Sequence, residues 1–173
     1  MQVPLDNWKQ ALAKLASDPN HQSGIDTWRI EVARAAFEGG ATTLNAANGM
    51  QDEAFWELAA EFGAQVVVPF MNGPNPHELR HVVGDPIDAM VDYYTARLQV
   101  ADRYGLRDRC LLDPGTGFGP HGWKWEDRYH YQKAVYSGLG RLRVLGLPLY
   151  LPLPWRETDQ HAELMEIALS QRP

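Results

Sequence analysis
The strongest constraint on the fold is an alternation: short apolar or β-branched segments ending in a turn are each followed by a stretch with helical spacing. Ser23–Thr27 leads into Trp28–Glu38, where Ile30, Val32, Ala33, Ala36 and Phe37 alternate with Glu31, Arg34 and Glu38 until Gly39-Gly40 stops the helix. Thr42–Asn45 precedes a small-residue turn and a helix over Asp52–Phe62. Gln65–Met71 is apolar on both faces, as a buried parallel strand should be; a loop rich in Pro, Asn and Gly then leads to a helix over Pro86–Tyr104. Cys110–Asp113 forms a fourth strand, and a helix follows over Glu126–Leu145. Leu147–Leu153 is expected as a fifth strand, weakened by Pro148 and Pro152, before a last helix over Asp159–Ser170. Within Met1–Asn20, Asp6 as N-cap and Leu5, Trp8, Leu12 and Leu15 at helical spacing predict one more amphipathic helix. Crossovers this short require an α/β fold with a parallel sheet, either open and doubly wound or part of a (β/α)8 barrel. Five strands cannot close a barrel of eight, and the two open edges invite pairing with another chain.

At 173 residues, 45% hydrophobic and 22% charged, the chain is expected to be a single globular domain over residues 1–173. Its apolar runs are far shorter than the ~20 residues of a membrane span, so no membrane partner is expected. The N-terminus has no basic start or apolar signal core, and the single Cys110 has no partner for an internal disulfide; a cytoplasmic location is the default. A net charge of -6 provides no broad field for phosphates, which argues against nucleic acid and for a small-molecule partner.

The polar residues are informative by position. Asp26, Asn45 and Asp113 each end a predicted strand, the end at which parallel α/β folds place ligands. The local alternative is a cap or turn, since Asp26-Thr27 can cap a helix and Asp113-Pro114-Gly115 can form a turn. An ionised carboxylate only accepts hydrogen bonds, so two carboxylates and an amide in one pocket suit a ligand edge rich in N–H donors, such as the guanidine-like fragment of a pterin. They suit a phosphate poorly, and they do not supply the octahedral oxygen set of a metal site. Gly117-Phe118-Gly119-Pro120-His121-Gly122 matches G-x-G-x-x-G by letter, but Asp113-Pro114-Gly115-Thr116 sets it apart from the strand's apolar residues and Pro120 removes an N–H. The histidines are scattered without a metal-binding pattern, the aromatic residues from Trp123 to Tyr136 suit a core or subunit contact, and Cys110 reads as an inert buried thiol.

Three blocks carry a resemblance to dihydropteroate synthase. Ile25-Asp26-Thr27-Trp28-Arg29-Ile30-Glu31-Val32-Ala33 resembles the family's S-V/I-D-T-x-x-x-E-V-A, Thr43-Leu44-Asn45 its I-I-N-D, and Leu111-Leu112-Asp113-Pro114-Gly115-Thr116-Gly117-Phe118-Gly119 its L-D-P-G-x-G-F-G/A. Met71-Asn72-Gly73 stands where the family has H-M-x-G. The resemblance implies a partial (β/α)8 TIM barrel, from its third strand to its seventh, with outer helices.

By resemblance, Asp26, Asn45, Met71, Asp113, Gly117, Phe118 and Arg156 bind substrate, with Asp26, Asp113 and Arg156 catalytic. The reaction implied joins 6-hydroxymethyl-7,8-dihydropterin diphosphate to p-aminobenzoate in folate biosynthesis, with Mg2+ on the leaving group and its protein ligand outside this chain. A homodimer belongs to the same expectation. There are departures: Ala46 replaces the Asp after the strand-end Asn, Pro152-Leu153-Pro154-Trp155-Arg156 replaces G-x-S-R-K, and the chain has no R-V-H-D. Arg156 keeps a Lys charge in a planar fork that aims differently. A non-catalytic pterin-binding paralogue and a methyltetrahydrofolate-type methyltransferase module are therefore the alternatives.

Overall fold
Local chemistry sets the ends of the helices in the computed structural model, which describes residues 23–152 and 159–171. Helix α1 covers Ile30–Glu38, and α2 covers Glu53–Phe62. At the start of α2 the Asp52 carboxylate accepts from the Ala54 amide, and at its end Gly63 takes the left-handed conformation. Helix α3, Pro86–Arg103, starts with Asp85 accepting from the amides of Ile87 and Asp88 and with Pro86 in its first turn. Helices α4 and α5 cover Trp125–Gly138 and Asp159–Ser170.

The strands are β1 (Gly24–Thr27), β2 (Thr43–Ala46), β3 (Gln65–Pro69) and β4 (Cys110–Asp113). They lie in the order β1-β2-β3-β4, every pair parallel. A doubly wound sheet reverses its strand order part way along, and this one does not. Consecutive neighbours with helical crossovers are the arrangement of a barrel wall. Ile25, Leu44, Ala46, Val66, Val68, Cys110 and Leu112 join the apolar core with residues of the helices, among them Phe37, Phe55, Trp56, Met90, Tyr94 and Leu98. Because side chains alternate along a strand, Asp26, Asn45, Val67, Leu111 and Asp113 belong to the opposite face.

Two expectations are corrected. The sheet has four strands, not about five: Leu147–Leu153 contributes one parallel bridge, Leu112 to Leu149. There the Leu112 amide donates to the Pro148 carbonyl (3.0 Å) and the Tyr150 amide to the Leu112 carbonyl (2.9 Å). Pro148 and Pro152 have no N–H, so the ladder stops after one step. The helix expected over Glu126–Leu145 changes at Gly138, beyond which Leu139–Leu145 is a 3-10 helix. A side chain at Gly138 would come within 2.5 Å of Ile87, so the chain there runs tight against α3. The helix expected within Met1–Asn20 lies outside the described residues, and among the described ones no helix is long and apolar enough to cross a membrane.

Candidate functional site
Register places the polar strand ends side by side. Asp26 pairs with Asn45, Asn45 with Val67 and Val67 with Leu111, while Asp113 pairs with Pro69 two residues further along. At ~4.8 Å per strand, Asp26 and Asn45 are immediate neighbours and Asp113 lies two strands beyond Asn45, toward the carboxyl end of the sheet. Asp26 is exposed, Asn45 is half-buried and Asp113 has 3% of its surface exposed. The Asn45 Oδ1 is buried and has no hydrogen-bond partner among the described residues. Unpaired buried acceptors are costly, so this atom calls for a donor.

Asp113 is the more perturbed of the two carboxyls. Burial pushes its pKa up to about 7, its bond from the Gly115 amide works against that, and the nearby Asp26 carboxylate adds to the rise. Burial also raises Asp26. The loop that carries Asp113 is held on every side. Its Oδ1 accepts from the Gly115 amide at 2.7 Å, and its main-chain carbonyl accepts from the Phe70 amide (2.7 Å) and the Tyr94 hydroxyl (2.5 Å). Further along, Gln132 Nε2 donates to the Thr116 carbonyl (2.9 Å), and the Thr116 and Tyr136 hydroxyls share a bond (3.1 Å).

Gly115 is required by the backbone. Its φ is +66°, and a Cβ there would sit 2.3 Å from the Phe70 carbonyl oxygen. Gly115→Ala should therefore destabilise the fold by about 2–4 kcal/mol, combining left-handed strain with a main-chain clash. Urea denaturation read by circular dichroism checks this, and an unchanged midpoint would contradict it.

The other expected residues are less gathered. Met71 has 2% exposure and packs beside the Gly49 turn; like Val67, it is buried outside the helix-side core. Gly117 is exposed. Phe118 lines a cavity of about 20 Å³, room for a single water, with Phe70, Arg80, Trp123 and Tyr131. Neither Asp26 nor Asn45 lines that cavity. Arg156 lies outside the described residues. Ala46, where the resembling motif has Asp, is fully buried on the helix side of β2, so the replacement takes no acceptor from the face of Asp26 and Asn45. Among the described residues, no three His, Cys, Asp or Glu side chains gather in a way that could hold a metal ion. The roles of Tyr94, Thr116 and Gln132 had no local signal in the sequence, because each bonds to backbone 16 or more residues away.

Comparisons with known proteins point in one direction. The chain is 36% identical over 124 residues to the inactive dihydropteroate synthase 2 of Mycobacterium tuberculosis, a match covering 68% of this chain and 37% of that protein. It is 34% identical over 127 residues to the dihydropteroate synthase of Streptococcus pyogenes, covering 72% and 43%. The chain thus spans about two fifths of the curated relatives it matches. Among solved structures, a Xanthomonas albilineans dihydropteroate synthase with 4-aminobenzoic acid superposes with a TM-score of 0.74 at 22% identity, over 99% of this chain and 65% of that one. The Stenotrophomonas maltophilia enzyme superposes with a TM-score of 0.75 at 24% identity, over 94% and 65%. These likenesses establish the fold, a part of the dihydropteroate synthase barrel. The sequence model of the pterin binding enzymes matches residues 4–149, and with the strand-end acceptors inside that span the chain belongs to the pterin binding enzyme family.

Proposed function
We propose that this chain carries the pterin-recognising part of a dihydropteroate synthase-like transferase, organised as one domain over residues 1–173. The observation that carries the reading is the unpartnered Asn45 Oδ1, set between strand-end carboxyls on one face of the sheet. Asp26, Asn45 and Asp113 present acceptors, and the aminopyrimidinone edge of a pterin presents N–H donors.

In the proposed reaction, the bond between the pterin's 6-methylene carbon and the diphosphate oxygen breaks with its electron pair leaving on diphosphate. The amine of p-aminobenzoate forms the new C–N bond and then loses a proton. Positive charge develops on the pterin as diphosphate leaves, and the Asp26 and Asp113 carboxylates stabilise it without acting as nucleophiles. Met71, Gly117 and Phe118 would complete the pterin and p-aminobenzoate contacts, and Arg156 would attract the anionic leaving group. The Mg2+ implied by the resemblance finds no ligand group among the described residues, and no step is assigned to it.

A second reading, a non-catalytic pterin-binding paralogue, is favoured by the 36% identity to a relative named inactive. One experiment tests both. The 173-residue chain is titrated with 6-hydroxymethylpterin by fluorescence and assayed for pyrophosphate release with the pterin diphosphate and p-aminobenzoate. Binding with turnover at least 1,000-fold below a full-length synthase is expected of the isolated chain, because positioning supplies much of the rate of a two-substrate reaction. Absence of binding by a folded sample would overturn the pterin reading; robust turnover would overturn the paralogue reading.

A further inference from the structure
We infer that Tyr93 and Tyr94, adjacent on α3, are positioning residues that tie the backbone carrying Asn45 and the backbone carrying Asp113 to a single helix. The inference rests on the pterin-site reading for its ligand but not for its geometry. The Tyr94 hydroxyl, fully buried, donates to the Asp113 main-chain carbonyl at 2.5 Å. The Tyr93 hydroxyl donates to the Gly49 carbonyl at 2.6 Å, in the turn that leaves β2 just after Asn45. Consecutive helix residues point about 100° apart, so one α-helix can reach the chain at the ends of β2 and β4 at once.

The fit around these hydroxyls is close. Gly49 has φ +69°, and a Cβ there would lie 2.0 Å from the Tyr93 hydroxyl oxygen. Met50 follows with φ +55° although it is not glycine; its amide is held by the Asn48 Oδ1 and its carbonyl by the Trp56 indole N–H. Strained backbone persists where neighbours over-determine it, and Tyr93 is one of those neighbours. The Tyr93 ring packs edge-on against Phe70 at 5.2 Å and Tyr94 at 5.7 Å, with the Arg97 guanidinium 4.9 Å over its face. Phe70 in turn gives its amide to the same Asp113 carbonyl that Tyr94 holds. The ends of β2, β3 and β4 are therefore locked together through two phenols. A loss at either phenol would let one acceptor drift relative to the other, and a planar ligand bridging both would lose affinity.

The test uses Tyr93→Phe, Tyr94→Phe and the double variant of the 173-residue chain, with Tyr104→Phe as control, since the Tyr104 hydroxyl bonds only the exposed Glu53 and Glu57. Three quantities are read: the Kd for 6-hydroxymethylpterin, the titration of the Asp113 carboxyl by isotope-edited NMR, and the side-chain amide resonances of Asn45. The Asp113 carboxyl is faced by Asp26, the Gly115 amide and the Tyr94 and Tyr136 phenols, so its titration reports that surround. Tyr94→Phe should raise Kd roughly tenfold and lower the Asp113 titration midpoint, as a loosened loop admits water. Tyr93→Phe should shift the Asn45 amide resonances and raise Kd by a smaller factor, and Tyr104→Phe should change none of the three. Variants that unfold more easily yet keep the wild-type Kd, Asp113 midpoint and Asn45 resonances would overturn the inference. If the wild-type chain binds no pterin, the functional reading fails, and the two NMR readouts still decide the positioning role.

Discussion

Replacing Asp113 with Asn is expected to weaken pterin binding about 100-fold while making the fold more stable at neutral pH and above. The two effects have one origin. Asp113 is 3% exposed, its pKa is pushed up to about 7, and a second carboxylate, Asp26, stands on the same face. Ionising it in that setting is unfavourable until a ligand brings donors. Asn keeps the shape, and its Oδ1 can still accept from the Gly115 amide, so the turn survives. Its amide nitrogen, however, turns a donor toward a ligand edge that also donates. Fluorescence titration of 6-hydroxymethylpterin and a thermal melt of the same sample measure both. Lower affinity with lower stability would mean that Asp113 is chiefly a structural residue, and unchanged affinity would remove it from the site.

The pH dependence of the wild-type chain should have the sign of a raised carboxyl. Below the usual Asp pKa of 3.8, Asp113 is protonated in both the folded and the unfolded chain, and its contribution to stability is fully present. Between there and about 7 the unfolded chain releases the proton while the folded one keeps it, so stability falls as pH rises, by roughly 4 kcal/mol in all at ~1.4 kcal/mol per pH unit. Asp26, also raised, adds in the same direction. The carboxylates that pair with arginines or a lysine, among them Glu53, Glu61, Asp85 and Glu163, are lowered. They act with the opposite sign: their contribution is present above the ordinary carboxylate range and is lost in acid, below most of the window of Asp113. Urea midpoints from pH 4.5 to 8 should thus decline in the wild type and lose most of that slope in Asp113→Asn. Pterin affinity should move the other way, strengthening as pH rises through 7 and Asp113 becomes the carboxylate that donors prefer. A flat urea midpoint across that range would show that Asp113 is solvated in the folded chain.

The sequence by itself determined the local elements and the identity of the strand-end residues. Asp52 before α2, Gly63 after it and Asp85-Pro86 before α3 act within one turn of chain, so the helix ends stand where capping chemistry puts them. Asn45 and Asp113 stand at or next to strand ends for an equally local reason, the small-residue run or turn after each, and Asp26 stands one residue before the end of β1. The fifth strand was the partial failure: its apolar composition was legible, but its pairing depended on amides that Pro148 and Pro152 lack, leaving one bridge to Leu112. Likewise the tight packing of Gly138, where the helix type changes, is against Ile87, 51 residues away in the sequence.

Alternation is the same in a doubly wound sheet and a barrel; the motif resemblance implied the barrel, and the strand order of the folded chain decided it. Only the tertiary structure decided that Ala46 faces the helices, that Asn45 Oδ1 has no partner among the described residues, and that Asp113 is buried enough to hold its proton near neutrality. Those properties are set by what surrounds a side chain in space. Here the surroundings come from Phe70 and Tyr94 through contacts that close only once β4 lies beside β3 and α3 packs on the sheet.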